Sequence, residues 1–284
     1  MMITDMAVMM LVLFVAVASG YFAPVVLAHG NARPWTPPAV PANVVAHDYP
    51  YELEGKNFTG YVAYPSTAAA EASQPGVLVA HQWLGLGNME KWRCQQMASQ
   101  GYVAFALDVY GTGVRPKDET AAREEMDKVL SNLTSFYDRL YEGIFLLQHL
   151  GEGPKVSSDL LFANGYCFGG QMVLELARRG YPGLKAVSSF HGELGNLTSQ
   201  DNDQFEATVS VHHADLDYQK AAGLLNLEDE LRNHHSKSWS TVKYGNCMHA
   251  WTDPTNENYR PFEARQSHQY MNVLYTEILG MKDS

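Results

Sequence analysis

The chain has 284 residues, 46% of them apolar and 18% charged, which is enough for one domain with a closed core and argues against a disordered chain. A formal net charge of −11 repels phosphate backbones and no cluster of Lys and Arg overrides it, so no nucleic-acid partner is expected. Three cysteines (Cys94, Cys167, Cys247), none in a Cys-x-x-Cys pair, are too few for a disulfide scaffold, and no metal site is expected.

The chain opens on an almost wholly apolar run, residues 6–28, broken by Ser19, Gly20, Tyr21 and Pro24. Val26-Leu27-Ala28 places small or aliphatic residues where a signal peptidase reads, and a Pro-rich stretch follows. Residues 1–28 are therefore expected to be a signal peptide, 29–43 a linker, and 44–284 the folded domain of a secreted protein. The segment before the run carries Asp5 and no Lys or Arg, and the run matches the ~20 apolar residues that cross a bilayer, so an uncleaved membrane anchor is the rival reading. Membrane contact is expected only through this segment. Sequons at Asn57, Asn132 and Asn196 suit a glycoprotein of a eukaryotic secretory route.

Beyond the linker, residues 44–53 and 57–64 read as half-polar strands joined by Glu54-Gly55-Lys56, a hairpin signature. Residues 76–80 and 102–107 are continuous apolar runs, as in strands covered on both faces, with a helix over about 89–99 between them. Residues 118–150 carry apolar positions at helical spacing. Strands over 160–163, 184–190, 207–211 and 239–244 then alternate with helices over 168–178, 224–234 and 259–279. The alternation predicts an α/β fold with a mostly parallel central sheet and helices on both faces, and places ligands at the carboxyl ends of the strands.

Gly165-Tyr166-Cys167-Phe168-Gly169-Gly170 falls between a strand and a helix. A tight turn there forces its central residue into a strained, exposed position, and small residues two before and two after relieve the crowding. The helix N-terminus favours a thiolate and a developing oxyanion, so Cys167 is the candidate nucleophile rather than a small core residue. In α/β-hydrolases the acid and the histidine follow the nucleophile in that order. His249, just past the strand 239–244, is the candidate base. His268 is expected on the surface of the last helix, and His234 and His235 at a helix end. Asp217 and Asp215 both follow the strand 207–211. Asp217 is preferred because Ala214 supplies the small residue three positions earlier, although either Asp could cap the next helix. The oxyanion donors are expected to be the backbone N–H of Phe168 and, from the loop after residue 80, that of Trp83.

His81-Gln82-Trp83-Leu84-Gly85-Leu86, the segment 101–111 ending in Asp108-Val109-Tyr110-Gly111, the cysteine motif, and His249-Ala250-Trp251-Thr252-Asp253-Pro254 together resemble the dienelactone hydrolase family over residues 44–279. The resemblance implies an α/β-hydrolase fold of monomer size, a Cys167–His249–Asp217 triad, and hydrolysis of a small lactone or activated ester through a thioester, without a cofactor. Gln82 stands where the family usually has a Glu that controls the charge on the cysteine until substrate arrives. A Gln cannot take a proton, so a simpler Cys167–His249 ion pair is expected. Thr112 and Asp253 stand where the family grips a carboxylate with arginines. An anionic dienelactone is therefore not the expected substrate, although Arg115 is near enough in sequence to substitute.

His191 follows the strand 184–190 and could line the pocket or serve structure. Trp83, Tyr110, Phe168 and Trp251 could form an apolar pocket wall, and Cys94 could pair with Cys247 in an oxidising compartment. The leading expectation is a cysteine-dependent ester or lactone hydrolase. The alternatives are a catalytically quiet binding protein at the cell surface, which Gln82 and the missing arginines would favour, and a redox thiol.

Overall fold

The structure, a computed structural model, describes residues 35–68, 72–198, 204–234 and 237–280. The expected signal peptide or anchor and His235 lie outside the described residues. Of the expected linker, residues 35–43 are described, and Trp35 packs edge-on against Trp92, ring centroids 5.4 Å apart. No helix among the described residues is long and apolar enough to cross a membrane.

Strands β1 (Val44–Leu53) and β2 (Lys56–Pro65) form the expected hairpin. Its two-residue loop, Glu54 and Gly55, has positive φ at both positions (51° and 72°), the turn geometry whose twist matches the flanking strands. Six further strands complete one sheet: β3 (Gln74–Ala80), β4 (Val103–Leu107), β5 (Val156–Tyr166), β6 (Leu184–Phe190), β7 (Thr208–Ala214) and β8 (Trp239–Tyr244). The order is β1-β2-β4-β3-β5-β6-β7-β8, parallel from β4 to β8 and antiparallel in the β1–β2–β4 corner.

Side chains alternate across the sheet with period two. Leu78, Ala80, Phe105 and Leu107 enter one core, while Val77, Val79, Ala104 and Ala106 enter the other. Helices α3 (Leu133–Gln148), α4 (Phe168–Arg178) and α5 (Ala221–His234) cover the first core, and α1 (Asn88–Ser99) and α6 (Pro261–Gly280) the second. The single helix expected over 118–150 is two, α2 (Glu119–Leu130) and α3. Asn132 breaks it, since its side chain caps α3 by accepting the N–H of Ser135 at 3.2 Å.

The topology places the site. From β3 the chain crosses to β4 on one side, while β5 lies on the other and leads on to β6. Loops leaving the carboxyl ends of β3 and β5 therefore diverge, which opens a crevice at that point.

Candidate active site

The elbow is built by close approach. Strand β5 ends at Tyr166 and α4 starts at Phe168, so Cys167 alone makes the turn, at φ 54°, ψ −114°. Such a conformation costs a non-glycine residue about 1–3 kcal/mol. A Cβ on Gly165 would lie 1.9 Å from the Gly169 carbonyl oxygen, and one on Gly169 2.1 Å from that of Ala80. Both glycines are thus required by backbone contact. The Cys167 N–H donates to the Phe190 carbonyl at 3.0 Å, and the Cys167 carbonyl accepts from Gly170 (2.9 Å) and Glu193 (3.2 Å). Phe168 begins α4, so its N–H has no acceptor within the helix and points to the end that favours negative charge.

His249 meets both expected partners. Its Nδ1 lies 2.7 Å from Asp217 Oδ2, and its ring lies close enough to Cys167 to feel a charge on the sulfur. Burial works against a charged imidazole here. The charge of a Cys167 thiolate and the bond to Asp217 outweigh it and raise the His249 pKa to about 10. Burial likewise pushes the Asp217 carboxyl up, but the bond to His249 and the nearby cations hold it below the usual range. Asp215 only donates its backbone N–H to Tyr244 (3.0 Å), so it is Asp217 that reaches the imidazole. Asp217 opens the short 3-10 turn Tyr218–Lys220 without capping it, which leaves its carboxylate to His249.

The loop after β8 that carries His249 is braced at several points. Ala250 takes a positive φ of 64°, Asn258 Nδ2 donates to the His249 carbonyl (3.1 Å), and Arg93 donates to the Thr252 carbonyl (2.9 Å). Gln82 Nε2 donates to Asp253 Oδ2 (2.9 Å), while Asp253 Oδ1 accepts from the N–H and hydroxyl of Thr255. His191, itself at φ 41°, binds the Thr252 hydroxyl through Nε2 (2.7 Å), and its ring sits edge-on to His249 at 5.1 Å. It is buried beside His249 and does not face an open pocket.

Several expectations are corrected. Trp251 and Phe168 are fully buried and cannot line an open wall; Trp251 packs under the histidine loop against His191 and Tyr244, and Phe168 enters the core beside Tyr110. Trp83 and Tyr110 stay at the site, with the Tyr110 hydroxyl donating to the Trp83 carbonyl at 2.9 Å. Arg115 does not replace the missing arginines, because its guanidinium donates to the carbonyls of Leu86, Gly111 and Val114 and pairs with Asp108. The Thr112 hydroxyl meets that of Thr59 at 2.8 Å. His268 is not a surface residue: its ring stacks on Phe190 (4.4 Å), and its Nε2 meets the Tyr166 hydroxyl at 2.9 Å. Cys94 and Cys247 are buried and unpaired, in separate core clusters.

Sequence reasoning missed the buried ion cluster behind the site. Arg178 grips Glu230 with two nitrogens (2.6 and 2.9 Å), pairs with Glu175 at 2.9 Å, and donates to the carbonyls of Leu194 and Gly195. This ties the loop after β6, whose Glu193 N–H meets the Cys167 carbonyl, to α4 and α5. The i, i+3 spacing of Glu175 and Arg178 in an otherwise apolar helix was the available signal.

Burial also lowers the pKa of His81 to about 4 and of His212 to about 3, and pulls His191 and His268 well below the ordinary imidazole value. An unfolded chain protonates these four near pH 6.5 while the folded chain does not, so their contribution is full above that pH and is lost as pH falls. Glu90, raised to about 7 by burial, opposes them, because its folded form gains a proton first. Each unopposed group contributes about 1.4 kcal/mol per pH unit. The lowered histidines outnumber the one raised carboxyl, so stability is predicted to fall as pH drops below about 6.5. Urea midpoints at pH 7 and pH 5 read this directly, and equal midpoints would contradict it.

A mostly parallel sheet with a strained residue at the tip of a central strand, and an acid and a histidine after later strands, defines the α/β-hydrolase fold. Among solved structures, a dienelactone hydrolase-like promiscuous phosphotriesterase, P91, from metagenomic libraries superposes with a TM-score of 0.75 at 24% identity, over 83% of this chain and 99% of that one. Among curated sequences, a probable 2-oxo-3-(5-oxofuran-2-ylidene)propanoate lactonase of a Bradyrhizobium species is 24% identical over 75% of this chain and 88% of its own length. A putative carboxymethylenebutenolidase of Aquifex aeolicus is 26% identical over 56% of this chain and 66% of its own. The dienelactone hydrolase family model matches residues 58–279. The chain belongs to the dienelactone hydrolase family, and is with it an ester or lactone hydrolase.

Proposed function

We propose that the protein hydrolyses a small, uncharged ester or lactone through Cys167, His249 and Asp217 and a thioester on Cys167. The observation that carries this is a histidine held by Asp217 at 2.7 Å and placed within electrostatic reach of a strained Cys167. The Cys167 thiolate attacks the carbonyl carbon, and the oxyanion takes hydrogen bonds from the N–H groups of Phe168 and Trp83. The His249 imidazolium protonates the departing alkoxide, which leaves the acyl group on sulfur. Neutral His249 then takes one proton from water as it attacks the thioester, the thiolate re-forms as the C–S bond breaks, and the carboxylic acid leaves and gives its proton to solvent. Asp217 orients the ring throughout.

The substrate class rests on charge. Thr112 and Asp253 offer no cation, Arg115 is engaged with carbonyls and Asp108, and Lys220 pairs with Glu193. The test is turnover of a chromogenic acetate ester, with and without iodoacetamide, beside a panel of neutral and anionic lactones. Iodoacetamide should abolish turnover, and neutral substrates should exceed anionic ones; turnover insensitive to the alkylator would sink the nucleophile, and absence of turnover across the panel would favour a binding protein.

Secretion belongs to the same proposal. Asn57 and Asn132 are exposed, as acceptors must be, whereas Asn196 donates to the buried Glu230 at 3.3 Å and is a poor acceptor. Secreted protein from a eukaryotic host should lose two glycans on endoglycosidase treatment. An unshifted band would count against this route.

A further inference from the structure

Glu90 plays no part in the chemistry above, yet it is a fully buried carboxyl beside the site. It lies in the first turn of α1, immediately after the loop that carries Trp83. Its Oε2 accepts the N–H of Gly87 at 2.8 Å, and its Oε1 is 3.4 Å from the N–H of Gln82. One side chain thus holds both ends of the loop 82–87. The loop closes on itself through the Gly85 N–H and the Gln82 carbonyl (3.1 Å), and the Gln82 side chain carries the linkage on to Asp253 in the histidine loop.

We propose that Glu90 is a positioning residue for the oxyanion hole, holding the loop 82–87 so that the Trp83 N–H faces the acyl oxygen, with Gln82 locking that loop to the one bearing His249. The proposal rests on the assignment of Trp83 as the second donor. Gln82, which cannot exchange a proton, serves here as a bridge between two carboxyl groups. The carboxylate form of Glu90 accepts both N–H bonds more strongly than the acid, so the loop is best held when Glu90 is ionised.

The groups facing Glu90 are Asp253 from the loop after β8, Tyr166 from β5, and Arg93 and Cys94 from its own helix. The Lys91–Asp48 pair stands at the mouth of the adjoining cleft. Burial, reinforced by Asp253 and opposed by the N–H groups of Gly87, Gln82 and Glu90 itself, pushes Glu90 up to about 7. Turnover should therefore rise with pH through that value.

The experiment compares the unaltered protein with Glu90→Gln, which keeps the shape and one acceptor but no charge. Hydrolysis of 4-nitrophenyl acetate is followed from pH 5.5 to 9, beside the rate of Cys167 alkylation by iodoacetamide, a displacement that uses no oxyanion hole. The expected result is a kcat about 10- to 100-fold lower at pH 8, KM within about twofold, loss of the limb near pH 7, and unchanged alkylation. Unchanged kcat and pH limb beside an active unaltered protein would overturn the proposal alone, as would turnover and alkylation falling together, which would mark a fold-wide effect. An unaltered protein without turnover would overturn the hydrolase reading and this proposal with it.

Discussion

Cys167→Ala is expected to lower kcat/KM for a small ester by about 10⁴-fold or more while leaving the fold intact. The thiol is the only group at the elbow that can form the covalent intermediate, and removing it also relieves nothing that holds the sheet together. The residue stays at φ 54°, a conformation alanine tolerates about as well as cysteine. The same variant should change its neighbour. The Cys167 charge is the largest influence raising His249, so its removal should drop the His249 titration from about 10 toward neutrality. Imidazole NMR signals followed against pH read that shift, and a titration that stays near 10 in the alanine variant would show that the Cys167 sulfur and the His249 imidazole are not coupled.

Gly165→Ala should have the largest effect on the folded state. The added Cβ would sit 1.9 Å from the Gly169 oxygen and 2.3 Å from its carbonyl carbon, both backbone atoms. No rotamer can relieve a contact between two main chains. Either β5 shifts against β3 and β6 or α4 moves off the sheet, and both carry Cys167 out of line with His249. Overpacking of this kind costs about 3 kcal/mol or more, and activity should fall below detection even where folded protein is recovered. Denaturant midpoints together with ester turnover check this. A variant with an unaltered midpoint and full activity would mean that the elbow is not as tightly built as its glycines indicate.

The elbow was legible because its chemistry and its sterics coincide in sequence. A strand, a turn of one residue and a helix leave room only for glycine at 165 and 169, and both glycines stand there. One small residue, Ala214, favours Asp217 over Asp215 in the sequence, and it is the Asp217 carboxylate that meets the imidazole at 2.7 Å. Where reading failed, side-chain direction was the reason. The inward face of α6 carries Ala264, Ser267, Met271 and Tyr275, and His268 adjoins it one turn after Ala264, yet a polar residue in a late helix reads as surface. Asn132 reads as a glycosylation acceptor, but its side chain also caps α3, a break that the apolar spacing over 118–150 does not reveal. Arg115, close to the site in sequence, proved to be a staple for its own loop. Glu90 stands three residues after Gly87, the spacing at which a glutamate reaches back to the start of its helix, but nothing local shows that the reach also spans to Gln82 at the other end of the loop bearing Trp83.

The central claim, a thioester on Cys167, is tested most directly by acid-quenching the protein during turnover of a slow ester and mapping the product by mass spectrometry. The account predicts one acyl group on the peptide bearing Cys167, removed by neutral hydroxylamine and absent from Cys167→Ala. An acyl group on another residue, or full turnover by the alanine variant, would contradict it.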